Sequence, residues 1–220
     1  MIRPFGEAAL LVEAGSAERA QSLAASLRDE PIPGVTAAVP GLDSLLVELD
    51  VLSPHRMTIR DALERRMAEP RMPPAVARER TIPVVYGGEM GPDLADVAAL
   101  TGLTEAAVVE RHAGAALSVL FDGFAPGFAY LGELPDALRV PRLDTPRTRT
   151  PAGSVAIAGA MSGIYPAVLP GGWRVIGRTP VTLFEPRRDP PAYLLPGDRT
   201  RFEPIDAAAW DDRAGVPDDW

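Results

Sequence analysis

Residues 151–180 read PAGSVAIAGAMSGIYPAVLPGGWRVIGRTP, and in them short apolar runs alternate with turns that contain glycine and proline. The same alternation holds from about residue 115 onward. The apolar runs that we assign to strands lie at residues 117–121, 154–158, 173–176, 181–184, 193–195 and 200–202. Many short strands separated by such turns are typical of an all-β barrel or sandwich, which we predict for this part of the chain.

The first 68 residues show a different order of elements. The strand patterns lie at residues 8–13, 35–39 and 44–49. One helix, which Ser16 is placed to cap, follows the first strand, and a second helix at about 57–68 follows the third. If residues 81–85 or a neighbouring strand closed the sheet, the order would be ferredoxin-like. We therefore predict an α+β fold in which a small ferredoxin-like α/β domain precedes the barrel.

The stretch EPRMPPAVARER, residues 69–80, combines prolines and charges without periodicity, so we predict a linker that starts at about residue 69. The tail is acidic, and we expect it to be loosely held. The predicted parts of the chain are residues 1–80 with the linker, residues 81–206 for the barrel and residues 207–220 for the tail.

A glycine-rich turn at residues 87–91 precedes a helical pattern. Glycines before a helix can bind phosphate, but neither dinucleotide-binding nor P-loop spacing is present and Glu89 would repel an anion. We therefore interpret these residues as a structural turn. The helix after it places Leu94, Val97 and Leu100 on one face and ends at Gly102, and Thr104 is placed to cap the next helix.

Composition limits the function classes. The chain has 220 residues, a net charge of -8 and no cysteine, and all 22 basic residues are arginine. The charge argues against nucleic acid and anionic membranes as partners. The absence of lysine and cysteine excludes Schiff bases, P-loop lysines and thiolate catalysis within this chain. Two histidines far apart lead us to expect no metal site. Neither a membrane-spanning run nor a secretory signal is visible, so we expect a cytoplasmic protein.

Hydrolytic catalysis would need Ser154 as nucleophile with His55 or His112 as base, although Ser154 lacks the G-x-S-x-G context. His112 lies near a helix end, where the helix dipole favours its charged form, but a capping or packing role is the alternative. The second half also concentrates aromatic residues near Arg147 and Arg178. The aromatic residues of this predicted groove are Phe124, Phe128, Tyr130, Tyr165 and Trp173. Such a groove could bind a small carboxylate or a proline-rich peptide, unless the aromatics are core and the arginines rim.

Between residues 82 and 205 the chain contains, in this order, the blocks IPVVYGGEMGPDL, RHAG, GFAPGFAYLG, PRTRTPAGSVAIAG, SGIYP, PGGWRVIGRTP and LLPGDRTRFEPI. In these blocks and in their order the chain resembles the family of the 5-oxoprolinase B subunit, which includes KipI kinase inhibitors and proteins called allophanate hydrolase subunit 1. The segments GEAALLVEAG and SLLVELD extend the resemblance to nearly the whole chain. The resemblance implies a small α/β domain followed by a cyclophilin-like barrel, and similarity to part of the carboxyltransferase region of urea carboxylase.

The resemblance further implies that the chain acts with the A and C subunits, of which the C subunit is homologous to it, in a system that opens 5-oxo-L-proline to L-glutamate with ATP. ATP is then expected at the level of the complex, with no metal or covalent cofactor in this chain. Local roles would be Arg147 or Arg178 on a carboxylate or phosphate, His112 in proton transfer and Ser154 as the serine candidate. The alternatives are a KipI-like inhibitor of a sensor histidine kinase and an allophanate hydrolase subunit.

Overall fold

A computed structural model describes residues 1–52, 56–68, 78–217 and 220, with only the backbone of Arg56. The chain forms two compact units, Met1–Ala77 and Arg78–Trp220. His55 and most of the predicted linker, residues 69–77, lie outside the described residues. Among the described helices, none is both long and apolar enough to cross a membrane.

The elements of the first unit are β1 Ile2–Pro4, β2 Ala9–Glu13, α1 Ala17–Asp29, β3 Val35–Pro40, β4 Ser44–Leu49 and α2 Arg56–Ala68. Its four strands form an antiparallel sheet in the order β1-β2-β4-β3. Ser16 caps α1 as predicted, because its side chain accepts a hydrogen bond from the backbone N–H of Arg19 at 3.3 Å. Apolar residues of both helices pack with those of the sheet into one core, which includes Val12, Leu23, Leu45, Ile59 and Leu63.

The ferredoxin-like arrangement is not confirmed. The strand that pairs with the free side of β2 is the N-terminal β1, which the sequence analysis missed. Residues 81–85, one of the strands that would have closed a ferredoxin-like sheet, belong to β5 Glu79–Tyr86 in the second unit. Residues 79–84 of β5 pair in parallel with residues 199–204, and Val85 and Tyr86 pair with residues 177–178, so β5 is a strand within the sheet of the second unit.

The second unit contains a closed barrel of seven strands, which confirms the predicted barrel. In the order of the barrel these strands are β10 Met161–Ile164, β7 Ala129–Gly132, β6 Leu117–Asp122, β13 Arg199–Pro204, β5, β12 Arg174–Arg178 and β9 Ser154–Ala158. A separate ribbon pairs β8 Arg147–Thr150 with β11 Leu169–Gly171. Two helices, α3 Leu94–Thr101 and α4 Glu105–Gly114, lie between β5 and β6 in sequence.

Alternation along the barrel strands creates two separate apolar clusters. Val155 and Ile157 of β9 belong to the main core, to which all seven barrel strands and both helices contribute. Ala156 and Ala158, which point the opposite way, belong to a second cluster with Phe128 and other aromatic residues. The main core therefore fills the barrel, and the aromatic cluster lies on the outer face of its strands.

Three local expectations are wrong. Leu100 is 53% exposed at the end of α3, so only Leu94 and Val97 of the predicted face are buried. Residues 181–184 form no regular strand and contribute only the isolated bridges Val181↔Gly215 and Phe184↔Ala192, and residues 193–195 form neither a strand nor a bridge. The neighbouring prolines cannot donate ladder hydrogen bonds. The described part of the tail is also not loosely held. Thr182 N–H donates to Gly215, and the indole N–H of Trp220 donates to the carbonyl of Pro190 at 2.9 Å.

Candidate functional site

Asp93, at the start of α3, connects the helix to the barrel and to the ribbon. Its backbone N–H donates to the carbonyl of Val175 at 2.9 Å, and its Oδ2 accepts from the N–H of Val175 at 2.7 Å. Its Oδ1 accepts from Nη2 of Arg147 at 2.6 Å. The sequence analysis missed Asp93, although an acidic residue directly before a helix is a recognisable N-cap signal. Here the carboxylate binds β12 and β8 and makes no side-chain cap.

Arg147 is a predicted site residue whose guanidinium group is only partly satisfied by hydrogen bonds. Its Nη2 is held by Asp93, whereas its Nη1 is buried and has no hydrogen-bond partner. Arg147 lies opposite Gly171 in the ribbon. A side chain at Gly171 would overlap the hydroxyl of Tyr165, so the absence of a side chain there lets the ribbon rest on that hydroxyl.

The five predicted groove residues do lie together, in the outer cluster of the barrel. The rings of Phe128 and Tyr165 are 5.3 Å apart, those of Phe128 and Trp173 are 5.9 Å apart, and those of Phe128 and Tyr130 are 4.9 Å apart. All three contacts are edge-to-face, which is a favourable geometry for aromatic rings. Phe128, Tyr165 and Trp173 are buried, so they form a packed floor more than an open groove.

Phe124 differs from the other four. It is 59% exposed, and its φ of 65° lies in the left-handed region that a residue other than glycine rarely adopts. Its ring contacts those of Phe128 at 5.4 Å and Tyr165 at 6.4 Å. The backbone therefore holds an exposed ring at the border of the aromatic floor at a cost in conformational energy, which is typical of functional loops.

Arg142 was not predicted from the sequence. Its guanidinium carbon lies 5.9 Å from the centre of the Trp173 ring, within cation–π range. Burial raises the pKa of Tyr165, and the positive charges of Arg142 and Arg147 partly oppose this rise. The positive charges of both guanidinium groups therefore lower the pKa of the same hydroxyl. No motif marks Arg142, and the only sequence signal is its position shortly before the PRTRTP block.

His112 is buried in the main core and is not in the aromatic cluster. Ser162 Oγ donates to the carbonyl of Ala156 at 3.2 Å, so it can accept from His112 Nε2–H at 2.9 Å. The other ring nitrogen, Nδ1, then accepts from the hydroxyl of Tyr86 at 2.8 Å. This chain of hydrogen bonds ends on a backbone carbonyl and links α4 to β5 and β10.

The expectation that His112 is charged and available for proton transfer is therefore corrected. Burial lowers its pKa to about 3, because the charged imidazolium would lose its hydration inside the barrel. The helix dipole is too weak to compensate for that loss. At neutral pH His112 is an uncharged structural link.

Ser154 and Arg178, two further candidates for catalysis, are held by contacts within the fold. Ser154 is buried within β9, and the hydroxyl that binds His112 is that of Ser162, so the expected Ser154–His112 pair is not formed. Arg178 donates from Nε to the carbonyl of Ala152 at 2.7 Å, and its guanidinium group lies 5.4 Å from the centre of the Trp210 ring. Of the four candidates for catalysis, only Arg147 lies at the aromatic cluster.

Asp122, at the end of β6, is a second titratable group that the sequence analysis missed. Its Oδ1 is buried without a hydrogen-bond partner. Burial, with a smaller contribution from the negative charge of Asp198, raises its pKa to about 7. Asp198 is itself held by Arg78, whose Nε and Nη2 donate to its two carboxylate oxygens at 2.9 and 2.6 Å.

Within the described ranges, no group of three or more histidines and carboxylates could hold a metal ion.

Replacing Asp122 with asparagine is expected to stabilise the protein at pH 8 but not at pH 4.5. The folded pKa of about 7 lies above the ordinary value of 3.8, so the folded state binds the proton more tightly. The contribution of Asp122 to the free energy of unfolding is therefore present below pH 4 and is lost as the pH rises to about 7. We expect the variant to gain about 2 kcal/mol in unfolding free energy relative to the natural chain between these pH values. Urea denaturation at both pH values measures it, and an equal difference at both would contradict the assignment.

Comparison with known proteins identifies a family and several similar proteins. The family model described as carboxyltransferase domain, subdomain C and D, matches residues 1–194. The chain is 44% identical to the B subunit of 5-oxoprolinase from Escherichia coli O157:H7 over 206 residues, which cover 91% of this chain and 94% of that protein. The crystal structure of TTHA0988 superposes with a TM-score of 0.80 at 37% identity and covers 94% of this chain.

Two of the similar structures belong to longer proteins. The match spans only 40% of TTHA0988. The urea carboxylase of Kluyveromyces lactis shares the fold with a TM-score of 0.79 at 19% identity, over 96% of this chain and 22% of that one. In both proteins the unit that matches this chain is joined to further polypeptide.

Proposed function

Because this chain belongs to the family of carboxyltransferase domains, subdomain C and D, we propose that it is the B subunit of an ATP-dependent 5-oxoprolinase. In this role it acts with the A subunit, and with a C subunit homologous to it, to open 5-oxo-L-proline to L-glutamate. The E. coli relative, which matches over nearly its whole length, is named as the B subunit of 5-oxoprolinase.

The requirement for companion chains is supported by the catalytic and nucleotide-binding groups that this chain lacks. Ring opening of a lactam needs activation of its carbonyl, commonly by phosphorylation of the oxygen. The sequence has no lysine and no nucleotide-binding loop, and the structure keeps His112 and Ser154 buried. We therefore assign ATP binding and phosphoryl transfer to the companions. That similar units form part of longer chains in TTHA0988 and urea carboxylase is consistent with a unit that works beside another polypeptide.

The observation that carries a role in substrate binding is the position of Arg142 and Arg147 at the aromatic cluster. Both guanidinium groups act on the hydroxyl of Tyr165, which lies beneath the ribbon. Arginines beside aromatic rings can orient a small carboxylate while the rings exclude water. The same arrangement offers no nucleophile, so this chain contributes binding and the companions contribute the reacting groups.

Reconstitution tests the proposal. We expect the chain, combined with its A and C companions, to hydrolyse ATP in a manner that depends on 5-oxoproline and yields equimolar glutamate. Omitting this chain is expected to lower the rate at least 100-fold, because half of the composite site is then absent. ADP and glutamate are measured together, with the companions alone as the control. Equal rates with and without the chain would refute the proposal.

A further inference from the structure

We propose that Arg142 and Arg147 form a carboxylate-binding subsite beside the aromatic cluster, with Phe124 as the wall against which the ring of a small cyclic ligand rests. The class of ligand is a compact ring that bears one carboxylate. That the ring is a five-membered lactam rests on the proposed function, whereas the need for a carboxylate rests on the residues alone.

Arg147 supplies the first donor. Its Nη1 is buried and lacks a hydrogen-bond partner, although the rest of its guanidinium group is fixed by the 2.6 Å contact to Asp93. A buried donor without an acceptor costs free energy, and in native proteins such groups are few. Both carboxylate oxygens of Asp93 are already used, one by Arg147 and one by Val175. A ligand oxygen can therefore supply the acceptor that Arg147 Nη1 lacks.

Arg142 supplies the second donor. Its side chain is exposed and, among the described residues, has neither a hydrogen-bond nor an ion-pair partner. Its cation–π contact with Trp173, at 5.9 Å, involves the ring face and leaves the N–H groups of the guanidinium group available. An arginine held by a ring and not by a carboxylate retains its full charge for an incoming anion. In a chain with a net charge of -8, two incompletely neutralised cations at one place are notable.

The hydroxyl of Tyr165 lies close to the segments that position both Arg142 and Arg147. It lies under Gly171, which is the partner of Arg147 in the ribbon. The ring of Tyr165 packs on Phe128 at 5.3 Å, as does the ring of Trp173 at 5.9 Å, over which the Arg142 guanidinium group lies. The segment that carries both arginines lies against the same residues, since the N–H of Leu143 donates to the carbonyl of Gly172 at 2.7 Å. In agreement with this geometry, both positive charges oppose the rise that burial causes in the pKa of the hydroxyl. The hydroxyl therefore marks the position near which the carboxylate binds.

Phe124 gives the subsite its preference for a ring. Its exposed side chain meets Phe128 and Tyr165 edge-on, and its left-handed backbone fixes where the ring stands. An apolar wall next to two guanidinium groups fits a compact ligand with one anionic end and one apolar side. A long polyanion or a peptide would not need this combination.

Calorimetric titration of the 220-residue chain tests the subsite at constant ionic strength with three ligands. They are L-5-oxoproline, cyclopentanecarboxylate, which lacks the amide, and 2-pyrrolidinone, which lacks the carboxylate. We expect both carboxylates to bind, and 2-pyrrolidinone to bind at least tenfold more weakly. Arg142→Gln and Arg147→Gln are each expected to weaken carboxylate binding at least tenfold. Arg201→Gln, an exposed arginine on β13, is the control for net charge and should bind as the natural chain does.

Thermal unfolding is measured for every variant. Arg142→Gln is the decisive variant, because Arg142 is exposed and its replacement should not affect folding, whereas Arg147 also holds Asp93. Carboxylate binding that depends on Arg142 supports the subsite. If cyclopentanecarboxylate binds in this way and 5-oxoproline does not, the subsite is supported and the proposed substrate is not. If neither carboxylate binds, or if Arg142→Gln binds normally, the subsite is overturned. The reconstitution assay reports on the proposed function independently.

Discussion

Replacing Asp93 with alanine is expected to lower the free energy of unfolding of the second unit by about 3–5 kcal/mol. The substitution removes the acceptor for the backbone N–H of Val175 and leaves Arg147 as a partly buried cation without its carboxylate. Loss of one partner of such a pair costs more than the pair contributes, because the remaining charge stays desolvated. All three tryptophans, Trp173, Trp210 and Trp220, lie in the second unit, so tryptophan fluorescence during urea denaturation measures this change selectively.

The matched control is Asp96→Ala on the same helix. Asp96 is 67% exposed and contacts Arg174 at 3.8 Å, so its loss should change the unfolding free energy by less than about 1 kcal/mol. An effect of Asp93→Ala as small as that of Asp96→Ala would mean that the Asp93 contacts do not hold α3 to the barrel.

The second large effect is expected at Gly91, where alanine should lower the unfolding free energy by about 3 kcal/mol. The turn before α3 rests on β12, since the N–H of Gly87 donates to the carbonyl of Ile176 at 3.0 Å. A Cβ at Gly91 would overlap that same carbonyl and lie 2.6 Å from the nitrogen of Gly87. Backbone atoms on both sides cannot move apart without breaking the turn. The same fluorescence measurement applies.

Gly114→Ala is the control for this substitution. Gly114 is the last residue of α4, and a Cβ there would meet no atom within 4 Å. We expect no loss of stability, because alanine favours helix more than glycine does. If both glycine variants behave alike, close backbone approach at Gly91 is not the cause of any loss.

Short-range signals predicted the ends of helices well. Thr104 caps α4 by accepting from the N–H of Ala107, and Gly102 ends α3 in the left-handed region, because both signals depend on residues within one turn. Strand β1 escaped prediction because three residues, of which only Ile2 is buried, show no alternation. The alternation of apolar runs was enough for the barrel but not for the identity of the strand that closes the first sheet.

The site was predicted less completely than the fold. Phe124 and Phe128 share the local stretch GFAPGF, and a concentration of aromatic residues is visible in a sequence. By contrast, Asp93 contacts residues 54 and 82 positions away, and His112 binds a serine 50 positions away. A single sequence contains no signal for such pairings, so Ser154 was chosen where Ser162 is the partner. Arg142 and Asp122 are single polar residues outside any motif.

The buried His112 and the half-buried Asp122 exchange protons with water in opposite directions when the chain unfolds. Between about pH 4 and 6.5, unfolded His112 takes up a proton, because its folded pKa of about 3 returns to 6.5. Over the same range Asp122 releases one, because its folded pKa of about 7 returns to 3.8. Stability thus rises with pH through His112 and falls with pH through Asp122. The two effects offset each other, so the interior of the barrel holds two groups of unusual pKa while their summed proton exchange on unfolding stays near zero.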